Sequence, residues 1–204
     1  MRRRDLGVCR PMNGAKWRKI AAMILGVAFG MGAWALENPL LVGVVTAVID
    51  GDTIKVQLTT GPVTVRLGHI DAPELTQSGG GAAVRALHSR VLTQEVSLDV
   101  VTRDGDDRMV AVVFVGGDNV NAWMVKQGHA WAYRGHTKEA DYCVWENAAR
   151  SLGRGLWENK GRDWVAPWDW RETKRDALFF VTDYSGASAA SCIREIRQAA
   201  GVDE

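Results

Sequence analysis

Cysteine is scarce in this chain of 204 residues: Cys9, Cys143 and Cys192 are the full complement. Three are too few for a small disulfide-framework fold, and they do not fall at zinc-ribbon spacing. A dominant charge of one sign is also lacking, since 25 Lys and Arg face 24 Asp and Glu for a formal +1. A polycationic protein that coats nucleic acid by bulk charge is thereby excluded. Proline is sparse, with 5, and the 22 glycines follow no repeat. Collagen-like and disordered classes are excluded with it, and no internal repeat or low-complexity segment is present. What remains is 47% hydrophobic and 24% charged, with 9 Trp. Those are the proportions of a folded globular protein with one domain of ordinary size and enough chain to bury a core.

The even total hides an uneven distribution. Residues 1–35 hold seven Lys/Arg and one acid, Asp5, which leaves 18 basic against 23 acidic residues in 36–204 and a body near −5. An anionic substrate must therefore be held by a few placed groups. Arg2, Arg3, Arg4, Arg10, Lys16, Arg18 and Lys19 precede an uncharged run from Ile20 to Ala35, which ends in the small-x-small pattern Ala33-Trp34-Ala35. The run is shorter than the roughly 20 apolar residues of a comfortable membrane span. Residues 1–35 thus read as a secretory signal peptide, with an uncleaved signal anchor as the other reading. Either one places the body outside the cytoplasm, periplasmic or secreted, with residues 20–35 as a membrane tether if they are retained. Cys9 leaves with a cleaved signal. Cys143 and Cys192 are then either one disulfide tying the tail to the body or two buried thiols.

The body reads as strands first and helices later. Residues 41–49, 53–58 and 62–68 are rich in Val, Ile, Leu and Thr and are separated by the turn signals Asp50-Gly51-Asp52 and Thr60-Gly61-Pro62. A helix is predicted over 82–93, strands over 95–102 and 109–115, a short helix over 119–127, and an extended piece over 130–133. A longer helix follows over 138–152. Five strands with few helices in this length suggest a small closed or nearly closed β-barrel: an α+β chain, mainly β, with about three helices packed outside. Beyond Gly155 come Trp157, Trp164, Trp168 and Trp170, read as anchors for an irregular tail rather than a stacking surface for bases. A final amphipathic helix is predicted over 187–200. Arg150 and Arg154, one turn apart, are expected on a solvated helix face, and His69 is expected to pack or be solvated.

Chemistry concentrates in two segments. Asp50-Gly51-Asp52-Thr53 puts carboxylates on a turn between strands, which alone is ordinary hairpin chemistry. Arg66-Leu67-Gly68-His69-Ile70-Asp71-Ala72-Pro73-Glu74 is more telling, because one arginine and two acids leave a strand together. The planar guanidinium of Arg66 suits two oxygens of a phosphate. Asp52 and Asp71 offer hard oxygen donors that favour Ca²⁺ or Mg²⁺ over zinc. Glu74 is then free to serve as a base or to orient an attacking water. The competing reading is a surface ion-pair network in which Arg66 neutralises Asp71 or Glu74.

These segments resemble the staphylococcal nuclease (thermonuclease) family, whose pattern is a D-G-D-T turn, then R-L, and four residues on D-x-P-E. The resemblance continues through Asn119–Tyr133, Ala148–Trp157 and the P-W-x-W-R of 167–171, covering roughly 41–171. It implies an OB-type five-stranded barrel over 36–171 with a Trp-rich C-terminal extension; residues 172–204, with their predicted helix, lie outside the resemblance and are assigned no function. It also implies hydrolysis of DNA and RNA phosphodiesters with Ca²⁺ and little sequence preference. By matching position, Asp52, Asp71 and the Ala72 carbonyl hold the ion, Glu74 activates the water, Arg66 grips the phosphate, and Arg108 stabilises developing charge. One departure stands out: the family's D-x-Y-G-R is here Asp104-Gly105-Asp106-Asp107-Arg108, with acids where an aromatic and a glycine are usual. Asp106 and Asp107 could draw Arg108 away from its task. The rival expectation is therefore an impaired OB-fold module that binds nucleic acid or a protein partner without cutting. Trp131 and Tyr133 are read as base-stacking or, equally, core aromatics. A monomer acting on DNA or RNA is expected.

Overall fold

The structure, a computed structural model, describes residues 40–105, 108–158, 164–176 and 180–202. The signal or anchor reading of 1–35 and the acids Asp106 and Asp107 lie outside the described residues. Strands β1 (Leu41–Val48), β2 (Thr53–Leu58) and β3 (Gly61–Leu67) form an antiparallel meander, as the tight turns between them dictate. Ile54, Val56 and Leu58 point inward from β2, and Val65 and Leu67 from β3. After the two-residue β4 (Ile70–Asp71) and helix α1 (Gly80–Val91), β5 (Glu95–Arg103) pairs with β1, and β6 (Met109–Val115) pairs with β5. Parallel pairing of Val65 with Met109, Arg66 with Val110 and Leu67 with Ala111 then joins β6 to β3. That last pairing closes β1, β2, β3, β5 and β6 into a five-stranded mixed barrel, the OB-type α+β fold expected.

The short β7 (Asp118–Asn119) leads into α2 (Val120–Lys126), whose first turn is capped by the Asn119 side chain accepting from the Ala122 N–H. Asn121 is buried, and its amide is fully used. Its Oδ1 accepts from Val113 N–H at 3.0 Å, and its Nδ2 donates to the carbonyls of Gly68 and Ala111 at 2.9 and 3.0 Å. The turn that carries the chain from Arg66 to Asp71 is thus fastened to the barrel wall. The strand β8 (Trp131–Ala132) pairs with β4, setting Asp71 opposite Trp131. Helix α3 (Ala140–Ser151) and the 3₁₀ turn Gly155–Trp157 follow.

Two further helices complete the described residues, α4 (Pro167–Arg175) and α5 (Ala189–Ala199). The second matches the predicted terminal helix. The first replaces the irregular tail expected there: Pro167 starts it at the position where a missing N–H costs nothing. The tryptophans do act as anchors. Trp157 is buried in a second core cluster with Trp131, Ala149, Ala166 and Tyr184, and Trp164 and Trp168 pack on it. Arg150 corrects the sequence expectation, since it lies only 9% exposed with its guanidinium 3.9 Å from the Trp157 ring centre. Arg154 stays exposed and donates to the Lys126 carbonyl.

Of the two cysteine readings, the structure takes the disulfide. Cys143 in α3 and Cys192 in α5 are bonded, with Cα atoms 5.7 Å apart across 49 residues of sequence. Closing a loop of that length stabilises a fold by about 2–4 kcal/mol, chiefly by restricting the unfolded chain. A reductant is therefore expected to lower the melting temperature of the wild type and to leave a Cys192→Ser variant unmoved. An unchanged wild-type melt in reductant would remove the bond from the stability of this fold.

Candidate active site

The site begins at the turn between β1 and β2. Asp50 Oδ1 accepts from the Asp52 N–H at 3.0 Å, an Asx turn that sets the reversal. At Gly51 a Cβ would come within 2.6 Å of the Ala72 Cβ and 2.9 Å of the Ala83 Cβ. Glycine there lets the turn lie against the segment following β4, and so brings Asp52 to Ala72. The Asp52 side chain is enclosed, at 3% exposure for the residue. Its Oδ1 accepts from Thr53 Oγ1 at 3.1 Å and from Arg66 Nη1 at 3.0 Å, and its Oδ2 accepts from the Ala72 N–H at 3.0 Å.

Arg66 reaches this point because β2 pairs Thr53 with Arg66. Its other amine, Nη2, donates to Asp71 Oδ1 at 2.7 Å, so one guanidinium bridges two carboxylates that are nineteen positions apart. Asp71 itself is wholly buried. Glu74 follows Pro73 on a loop whose backbone is held by Gln77: its carbonyl accepts from Gln77 N–H at 2.8 Å, and its N–H donates to Gln77 Oε1 at 3.2 Å. The side chain of Gln77 in turn donates to the Val165 carbonyl at 2.7 Å. The Glu74 carboxylate remains open to solvent, its side chain 41% exposed.

Burial pushes the Asp52 carboxyl up to about 7; Arg66 pulls against that, while neighbouring Asp71 adds to it. Burial weakens the charge on Arg66, but Asp52 and Asp71 outweigh it and hold that guanidinium above its ordinary value.

Sequence reasoning missed one participant. Arg171, on α4, donates to Asp71 through both amines, Nη1 to Oδ1 at 3.1 Å and Nη2 to Oδ2 at 2.6 Å, and Nη1 also reaches Glu74 Oε1 at 2.9 Å. The residue falls in the P-W-x-W-R segment, but nothing local in that segment indicates contact with residues about a hundred positions earlier.

The structure brings Asp52, Arg66, Asp71, Ala72 and Glu74 together. Arg108 sits one residue before β6 joins β3, where its N–H and Nε both donate to Asp104, at 3.0 and 2.8 Å. Of the two aromatics, Trp131 corrects the stacking reading. It is 1% exposed, with its ring edge-on to Trp157, Trp168 and Tyr184, so no face is offered to a base. Tyr133 is half-buried and stacks on Trp168 at 5.6 Å. His69 packs against Tyr142, and burial lowers its pKa.

Among the described residues no group of three or more His, Cys, Asp or Glu forms a ready metal cage. The donors at hand are the two enclosed carboxylates of Asp52 and Asp71. That all-oxygen set fits a hard divalent cation that keeps part of its water shell.

Fold and site together define a class: an OB-type barrel bearing two enclosed carboxylates bridged by an arginine beside an exposed glutamate. A family model described as "Staphylococcal nuclease homologue" matches residues 64–159. The chain is 39% identical over 164 residues to Protein ParB of Escherichia coli, covering 75% of this chain and 89% of that one. It is 34% identical over 174 residues to a micrococcal nuclease of Shigella flexneri, covering 80% and 96%. An uncharacterized endonuclease of Escherichia coli O157:H7 is 39% identical over 143 residues, covering 70% and 92%. The chain belongs to the staphylococcal nuclease family, and the enzyme class that goes with it is nuclease.

Proposed function

We propose that this protein is a Ca²⁺-dependent phosphodiesterase that hydrolyses DNA and RNA with little sequence preference. The observation that carries the reading is the Arg66 guanidinium bridging two enclosed carboxylates, Asp52 and Asp71, beside the solvent-open Glu74. In this reading Asp52, Asp71 and the Ala72 carbonyl hold the cation. When bound, it supplies positive charge for the phosphate oxygens in the transition state. Glu74 takes a proton from the attacking water and aligns it opposite the leaving oxygen. Arg66, held beside the cation site by Asp52 and Asp71, presents positive charge to the phosphate, and Arg108 stabilises the charge that accumulates on it. Every contact so described addresses backbone phosphate, which supports cutting without base preference.

Export is part of the same proposal. The basic and apolar N-terminal segment supports it, as does the Cys143–Cys192 disulfide, since such bonds persist in oxidising compartments. A second reading, a module that holds nucleic acid without cutting, is favoured by one observation, the Arg108 side chain engaged by Asp104. The purified chain is expected to cut single-stranded DNA and RNA with added Ca²⁺ and to stop cutting in EGTA. Cleavage that continues unchanged in EGTA would sink the cation-dependent mechanism. Salt-sensitive binding without cleavage would decide for the second reading.

A further inference from the structure

Arg171 engages the acid on which the proposed cation site depends. Both oxygens of Asp71 are engaged, Oδ1 by Arg66 and Arg171 and Oδ2 by Arg171 at 2.6 Å, and the same guanidinium ties Glu74 at 2.9 Å. A divalent ion cannot share Asp71 Oδ2 with that donor without placing two cations in contact. The two arginines differ in how firmly they are held. Arg66 sits within β3 and takes one oxygen of each carboxylate, Asp52 Oδ1 and Asp71 Oδ1, leaving Asp71 Oδ2 to Arg171. Arg171 comes from the separate helix α4, its side chain is 30% exposed, and its partners in the site are the two acids that the cation and the water need.

We propose that Arg171 is a tethered competitor for the cation: docked on Asp71 and Glu74 in the metal-free protein, it is displaced when the ion binds, and so sets the ion affinity. The inference rests on the cation site of the proposed function and adds a regulator to it. Its release also frees Glu74. The masked site and the tied base therefore open in one step, and the metal-free enzyme stays idle. Affinity follows from population, because a binding-competent state present at a fraction f weakens the apparent affinity by 1/f.

Ca²⁺ affinity measured by titration calorimetry on the full chain, without nucleic acid, tests this directly. An Arg171→Gln variant is expected to bind Ca²⁺ about tenfold more tightly than the wild type, as it should if the undocked state is about a tenth populated. Arg171→Lys, which keeps the charge but loses the two-pronged donor, is expected to fall between them. Should the glutamine variant not fold, as judged by its melt, the lysine variant carries the same comparison. Arg175→Gln removes an equal charge one turn along α4, where Arg175 pairs with Glu172, and is expected to leave the affinity within about twofold. Equal or weaker Ca²⁺ binding by Arg171→Gln would overturn the competitor role and leave the cation site standing. An equal gain in Arg175→Gln would do the same, by assigning the effect to the general field. No Ca²⁺ binding by any of the four proteins would overturn both this inference and the proposed cation site.

Discussion

Glu74→Gln is expected to slow phosphodiester cleavage by about 10²–10⁴-fold, the contribution of a placed general base, with the fold intact. The two halves of that expectation come from different contacts. The loop that carries Glu74 is held through its backbone by Gln77, and Gln77 is held by Val165, so the side chain's charge does not support the loop. Substitution weakens the 2.9 Å bond to Arg171 by removing the charge of its acceptor, and leaves Arg171 both oxygens of Asp71. An exposed change of this kind shifts stability by no more than about 0.5 kcal/mol. Glutamine keeps the size and a carbonyl oxygen but cannot take a proton at neutral pH. Initial rates on single-stranded DNA at saturating Ca²⁺, with thermal melts of both proteins, check the two halves separately. A variant that melts normally and cuts at the wild-type rate would assign the base to another group.

The largest expected loss of stability lies elsewhere. Glu146, on α3, is enclosed by two arginines. Arg134 donates to Oε2 at 2.6 Å and to Oε1 at 2.9 Å, Arg150 Nε donates to Oε1 at 2.9 Å, and the Ala132 N–H donates to Oε2 at 2.8 Å. Glu146→Gln keeps the shape and leaves two buried guanidinium groups facing an uncharged amide. Breaking a buried pair from one side costs about 3–5 kcal/mol, because the remaining charge stays out of water. The damage reaches further than α3. Arg134 also bonds Glu195 on α5, and Arg150 lies over Trp157 and donates to the Tyr184 carbonyl.

The same cluster sets a pH dependence. Burial alone would raise the Glu146 carboxyl, but the hydrogen bonds and charge of Arg134, with the charge of Arg150, hold it below its ordinary value. A folded-state value below the unfolded one contributes stability at pH above the ordinary glutamate range, and that contribution is lost as pH falls through the folded value. Urea melts are therefore expected to show a large gap between wild type and Glu146→Gln at pH 7 and a smaller one near pH 3. A gap below about 1 kcal/mol at pH 7, the size of an exposed pair, would mean that the cluster does not hold the helices together.

Local chemistry determined much of this protein before any fold was known. Richness in Val, Ile, Leu and Thr over 41–67 and 109–115, bounded by turn signals, specifies strands, because such side chains favour extended backbone. The turn at Asp50–Asp52 and the run from Arg66 to Glu74 carry their chemistry at short spacing, which is why Asp52, Arg66, Asp71 and Glu74 are legible together. Three outcomes were left to the tertiary structure. Arg150 has the sequence surroundings of a solvated helix residue, yet Glu146 and the tryptophans enclose it. Trp131 sits in an A-W-A-Y run that suits a stacking surface as well as a core, and only the arrival of Trp157, Trp168 and Tyr184 decides for the core. Arg171 joins the site from a helix a hundred residues away. Charge pairing across such a distance depends on how helices and barrel are packed. Spacing along the chain does not encode that, so the site's own acids were readable from sequence and the cation that guards them was not.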